Sequence, residues 1–99
     1  MLKGRVRMKI IIVGSGTVGG AICLQLVRED HDITVVDSDE RSLSELSNIC
    51  DIIAIHGNGA ELSTLRRAGA DKADLLIAVT SSDEINILCC AAARKLGTA

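Results

Sequence analysis

Gly14-Ser15-Gly16-Thr17-Val18-Gly19 follows a run rich in β-branched residues, Lys9–Val13, and an acid, Asp37, stands 23 positions after Gly14 at the close of the next apolar run. Residues of these types at this spacing suit the binding of a dinucleotide. Gly14 permits a tight turn out of a strand, Gly16 lets the backbone approach a pyrophosphate, and Gly19 lets the next helix pack on the strand. The helix N-terminus then presents unpaired N–H groups and a partial positive charge to phosphates. Asp37 can accept hydrogen bonds from a ribose 2′,3′-diol and would repel a 2′-phosphate, so NAD(H) is the first ligand to consider. The plainer alternatives are a sheet that keeps its glycines for packing and an Asp37 that serves as a turn acid or helix cap.

Other polar residues sort by which end of a strand they follow. Ser38, His56, Gly57, Asn58, Thr80 and Ser81 follow apolar runs, so they fall at the C-terminal ends of strands, where open parallel sheets hold ligands. His31 precedes its strand and falls at the opposite end, outside any chemistry. Asn58 reads first as a helix cap and second as a ligand contact. Gly57 and Gly59 would let their loop run close to an adenine, or would simply serve the turn. His56 reads best as a hydrogen-bonded turn histidine. Thr80 and Ser81 are within reach of a distal half of the ligand, with Ser81 also needed as a cap.

Positioning these groups requires strands and helices in alternation. Strand signals fall at Lys9–Val13, Ile33–Asp37, Asp51–Ile55 and Leu75–Thr80, nearly continuous in Ile, Val and Leu as in strands buried on both faces. Helical spacing relates Val18, Ile22 and Leu26; Leu43, Leu46 and Cys50; Leu62, Leu65 and Ala68; and Ile85, Leu88, Cys89, Ala92 and Leu96. Asn58-x-x-Glu61 and Ser81-x-x-Glu84 read as capping boxes, Asp39 and Glu40 as first-turn acids, and Gly69 and Gly97 as helix-closing residues. Gly19-Gly20 within a helix costs about 1 kcal/mol per glycine relative to alanine, which calls for a packing reason. The pattern predicts an α/β, Rossmann-like open parallel sheet in the order 3-2-1-4 with helices on both faces, truncated after its fourth helix. An apolar edge left at the fourth strand implies either a fragment of a longer chain or a covering partner.

Composition narrows the function classes. The chain has 99 residues, a net charge of −2, 47% hydrophobic and 24% charged residues, and no Phe, Tyr or Trp. That is room for one domain at residues 8–99, after an N-terminal tail at 1–7. The charge and the lack of stacking side chains argue against a nucleic-acid binder. No apolar run approaches the roughly 18 residues of a membrane span, and no signal-peptide pattern appears, so a cytoplasmic protein is expected. Cys23, Cys50, Cys89 and Cys90 lack metal-ligand spacing, and adjacent Cys89 and Cys90 point about 100° apart on a helix. Buried reduced thiols are expected.

Met8–Gly97 resembles the N-terminal nucleotide-binding half of the TrkA-N (KTN/RCK) family, regulators of potassium channels and transporters. The stretches that carry the resemblance are KIIIVGSGTVGGAIC, HDITVVDSDERSLSEL, IHGNG, LRRAGADKADLLIAVTSSDEINIL and AARKLG. The resemblance implies a cytosolic, non-catalytic domain that binds NAD(H), or in some members ATP or ADP, and passes ligand state to a membrane pore subunit. It implies a homo-oligomer peripheral to the membrane rather than inserted in it. Gly14, Gly16, Thr17, Val18 and Gly19 would line the pyrophosphate, Asp37 would hold the adenosine ribose, Gly57 and Asn58 would flank the adenine side and Thr80 the inner end of the cleft, with Ser15 and Ser38 also among the cofactor-binding residues. Thr17 stands where such proteins often carry arginine, and Asn58 where an aspartate is usual. Two further strands and an ion-sensing half complete the family's domain, so gating would not be complete in these 99 residues. The competing readings are the cofactor half of an NAD-dependent oxidoreductase and an interaction module with a structural nucleotide.

Overall fold

The computed structural model describes residues 7–99; the expected tail at 1–7 therefore falls outside it except for Arg7, whose guanidinium is 2.9 Å from an Asp32 carboxylate oxygen. The elements are β1 (Lys9–Val13), α1 (Thr17–Arg28), β2 (Asp32–Asp37), α2 (Glu40–Ile49), β3 (Ile53–His56), α3 (Leu62–Arg67), β4 (Leu75–Ala78) and α4 (Asp83–Leu96). All strands run parallel in the order β3-β2-β1-β4, as the alternation predicts.

Strand alternation divides the core into two layers. Ile10, Ile12, Ile33 and Val35 face α1 and α2, where they meet Cys23, Leu43 and Leu46. Ile11, Val13 and Val36 face α3 and α4, where they meet Leu65, Cys89 and Ala93. Burial on both faces holds for β1 and β2. It fails for β3 and β4, which are edge strands with no neighbour on one side; Ile53 is 63% exposed. Both edge strands are also shorter than the apolar runs that signal them.

Three helix faces differ from the predicted stripes; in α3, Leu65 is buried but Leu62 is 43% exposed. In α1 the contact line is Gly19 and Cys23, with Ile22, Leu26 and Val27 beside it, and Val18 is 59% exposed. In α4 it is Cys89 and Ala93, with Ala92 and Leu96 beside it, and Leu88 is 57% exposed. Small residues sit on both lines because they allow the helix to lie close to the sheet. The capping boxes shift as well. The N-cap of α4 is Ser82, whose hydroxyl accepts from the Ile85 N–H at 3.2 Å, in place of Ser81. The N-cap of α3 is Glu61, and Asn58 instead closes the preceding turn by accepting from the Ala60 N–H at 2.9 Å. Asp39 caps α2, accepting from the N–H groups of Arg41 and Ser42. Gly69 and Gly97 do close their helices, both with positive φ.

The Gly19-Gly20 pair has a packing reason at its first member only. A Cβ on Gly19 would land on the Gly14 carbonyl oxygen, whereas at Gly20 the nearest atom is the Ser15 carbonyl oxygen at 3.8 Å. Gly19→Ala is expected to lower stability by about 1–3 kcal/mol. Gly20→Ala should raise it by up to about 1 kcal/mol through helix propensity. Urea unfolding followed by far-UV circular dichroism measures both.

Candidate functional site

At the C-terminal ends of the strands the loops after β1, β2, β3 and β4 enclose a half-open cleft of about 400 Å³. Gly14, Gly16, Asp37, Ser38, Gly57, Asn58 and Thr80 line it, seven of the eleven residues assigned to the ligand by sequence, with Gly59 and Ser81 beside them. The other four lie around it. Ser15 is buried behind the loop, Gly19 packs beneath it, and Thr17 and Val18 are exposed on the first turn of α1. A second hollow of about 450 Å³ lies at the opposite end of the sheet, beside Lys9, His31 and Asp51. There His31 Nδ1 accepts from the Met8 N–H at 3.0 Å, a structural role at the end where no βα turn delivers a helix N-terminus.

The loop after β1 turns at Gly14. Its φ is +115°, and a Cβ there would sit 2.9 Å from the Val79 carbonyl oxygen, so both backbone conformation and space require glycine. Gly16 has neither requirement. Its φ of −71° is open to most residues, and a Cβ would meet nothing within 4 Å. It is the N-cap of α1 and provides no side-chain cap, in contrast to Asp39 on α2 and Ser82 on α4. The first N–H groups of α1 are thus left with no side-chain acceptor at the mouth of the cleft.

Asp37 binds the protein as much as it faces the cleft. Its Oδ2 accepts from the Ser15 N–H and the Ser15 hydroxyl, each at 2.7 Å, and its Oδ1 accepts from the Asp39 N–H at 2.8 Å. Ser42 extends the network: its hydroxyl donates to the Ser15 carbonyl at 3.0 Å and lies 3.0 Å from Ser15 Oγ. Burial alone would raise the Asp37 pKa. The hydrogen bonds from Asp39, Ser15 and Ser38 outweigh it and hold the carboxyl below its ordinary value. The charged residues lining the cleft are Asp37 and Asp39, both acids. Attraction for an anion must therefore come from the α1 backbone.

On the far wall, Asn86 of α4 holds the loop after β4. Its Oδ1 accepts from the Thr80 N–H at 2.9 Å and the Thr80 hydroxyl at 2.7 Å, and its Nδ2 donates to the Thr80 carbonyl at 3.2 Å. Neither Ser42 nor Asn86 stood out in the sequence. For Asn86 the signal was a poor helix former one turn inside a helix. Glycines at 57 and 59 are explained by contacts of the fold, since a Cβ would crowd the Thr64 side chain at one and the Val13 side chain at the other. His56 is hydrogen-bonded as expected, its Nε2 lying 3.0 Å from the Ser38 carbonyl oxygen, but it is the last residue of β3 rather than a turn residue.

A carboxylate whose folded pKa is depressed supports the fold above its unfolded pKa and loses that support as pH falls through the folded value. Stability should therefore decline as pH drops through and below the ordinary carboxylate range, where Asp37 takes up its proton. Asp37→Asn should flatten this acid limb and cost stability at pH 7, read from urea midpoints across pH.

The sequence profile of the TrkA-N domain matches residues 10–99. The Trk system potassium uptake protein TrkA of Halomonas elongata is 49% identical over 89 residues, covering 90% of this chain and 20% of that protein. The protein of the same name from Vibrio alginolyticus is 44% identical, covering 90% of this chain and 19% of its own length. The chain thus spans about a fifth of the length of these curated relatives. Among solved structures, the TrkA-N domain of the inner membrane protein ybaL from Escherichia coli superposes with a TM-score of 0.82 at 23% identity, covering 93% of this chain and 67% of that one. The Bordetella bronchiseptica enzyme WbmG in complex with NAD superposes with a TM-score of 0.77 at 19% identity, over 99% of this chain and 37% of that one. These two share the fold. With its parallel 3-2-1-4 sheet, its glycine turn and a family match running from β1 to Ala99, this chain belongs to the TrkA-N domain family.

Proposed function

We propose that this domain binds NAD(H) in the cleft above β1 and β4 and serves as a regulatory part of a potassium uptake or channel system. The observation that carries the reading is Gly16. Its own backbone does not need glycine, and a Cβ there would project into open space beside the uncapped start of α1. A position kept bare for no internal reason is suited to a ligand's phosphates. The Trk system relatives and the NAD complex of a structural neighbour support the system and the ligand.

In this reading Gly14, Ser15, Gly16, Thr17, Val18 and Gly19 line the pyrophosphate, which is held by the backbone N–H groups at the start of α1 rather than by those of Gly14 and Ser15, already bonded to Val36 and Asp37. Asp37 and Ser38 take the adenosine ribose, Gly57 and Asn58 flank the adenine, and Thr80, fixed by Asn86, bounds the inner end. Two acids and no lysine or arginine line the cleft, which disfavours a ligand bearing a 2′-phosphate. ATP or ADP would satisfy the same loop and is the alternative ligand. The role is sensing rather than catalysis: the histidine on the ligand side, His56, is engaged with Ser38 at the adenine end. A sensor acts by binding one state of its partner more tightly. The partner is a membrane pore subunit, met by a homo-oligomer on the cytoplasmic side. Among the described residues no helix is long and apolar enough to cross a membrane.

Titration with NADH, followed by the dinucleotide's own fluorescence, tests the ligand in a chain without aromatic residues. Saturable binding displaced by NAD+ and not by NADP+ is expected. Asp37→Ala should weaken it by about 1–3 kcal/mol. Gly16→Val should abolish it while leaving the circular dichroism spectrum unchanged. Full affinity in Gly16→Val would overturn the pyrophosphate assignment, and ATP or ADP binding in dialysis without an NADH signal would favour the alternative.

A further inference from the structure

Cys23 and Cys50 are 27 positions apart in sequence, yet their sulfurs lie 3.8 Å from each other between α1 and the end of α2. Cys23 is fully buried, Cys50 partly exposed, and the Cys50 thiol also contacts the Leu46 carbonyl oxygen at 3.3 Å. The remaining cysteines offer no competing partner. Cys89 lies in the layer on the opposite face of the sheet, and Cys90 is its exposed neighbour on the same helix. A bond between two sulfurs is about 2 Å long, so closing the gap requires a shift of under 2 Å, within reach of side-chain rotation and a small helix adjustment.

We propose that Cys23 and Cys50 form a thiol-oxidation site, joined by a reversible intramolecular disulfide when the protein meets a small-molecule disulfide. Cys50 is the entry point because it is the partly exposed member of the pair, whereas Cys23 is fully buried. Its thiolate attacks one sulfur of the oxidant RSSR, forming a mixed disulfide and expelling RS⁻. Cys23, after losing its proton, displaces the second RS⁻ from Cys50. The two thiols are oxidised by two electrons, RSSR is reduced to two RSH, and the two thiol protons end on those products. Burial, together with the hydrogen bond to Cys50, pushes the Cys23 thiol up to about 12, consistent with Cys23 being the resolving group rather than the first to react. The bond would close a loop running from α1 through β2 to the end of α2. This constrains the unfolded chain and pins α1 to the end of α2.

Reduced protein is incubated with oxidised glutathione at pH 8, alkylated, and digested with trypsin without reduction. The expected product is a cross-link between peptides 10–28 and 42–66, which carry Cys23 and Cys50. It should come with a rise in Tm on the order of 10 °C that dithiothreitol reverses. In Cys50→Ser neither the cross-link nor the rise should appear. Peptides 10–28 and 42–66 recovered unlinked, with glutathione on Cys50 alone or no change, would overturn the proposal. So would a bridge to peptide 73–94, which carries Cys89 and Cys90.

Discussion

The strand that delivers the glycine loop has neither a free edge nor a free face. β1 pairs with β2 on one side and β4 on the other, and Ile10, Ile11, Ile12 and Val13 are each no more than 2% exposed. A slip of one residue would move every apolar side chain to the wrong layer, so its register is fixed from four directions. The turn beyond it inherits that precision. The Gly14 N–H donates to the Val36 carbonyl at 2.8 Å, and the Val79 N–H donates to the Val13 carbonyl at 2.9 Å. The mouth of the cleft is thereby tied to both neighbouring strands.

The walls of the cleft are held by their own hydrogen bonds. Asp37, Ser15 and Ser42 form one unit, Thr80 and Asn86 another, and Asn58 with Ala60 a third. Among the described residues no buried side-chain polar atom lacks a partner. Loops fixed in this way lose little freedom when a ligand enters, which is the physical content of preorganisation. At the mouth of the cleft the loop after β1 ends in backbone rather than side chain: the first turn of α1 has neither a side-chain cap nor an acid.

Much of this was legible in the sequence because it depends on local rules. Strand–helix alternation fixed the strand order, and the spacing from Gly14 to Asp37 placed both at one end of the sheet. What local rules could not give is which neighbour an element meets. Val18 and Leu88 fit an apolar stripe by spacing and are exposed, because the true contact lines run through Gly19 and Cys23 and through Cys89 and Ala93. The caps at 58 and 81 moved because Asn58 and Thr80 found partners in their own turns. Ser42 and Asn86 escaped notice because their partners, Ser15 and Thr80, lie outside their own helices.

The two sides of the cleft are joined at very different distances along the chain. Ile10 faces Ile33 across 23 positions, and Thr34 faces Ile53 across 19, but Ile10 faces Leu75 across 65. Closing the last of these loops costs about 0.9 kcal/mol more entropy than closing the first. The β3-β2-β1 half is therefore assembled from neighbours, while β4 and α4 are added across the longest gap and hold an edge position. Gly14, Val79 and Thr80 lie along the upper end of the seam between β1 and β4. A molecule seated there would touch both halves at once, acting as a clasp between segments that the chain itself joins only across its longest gap.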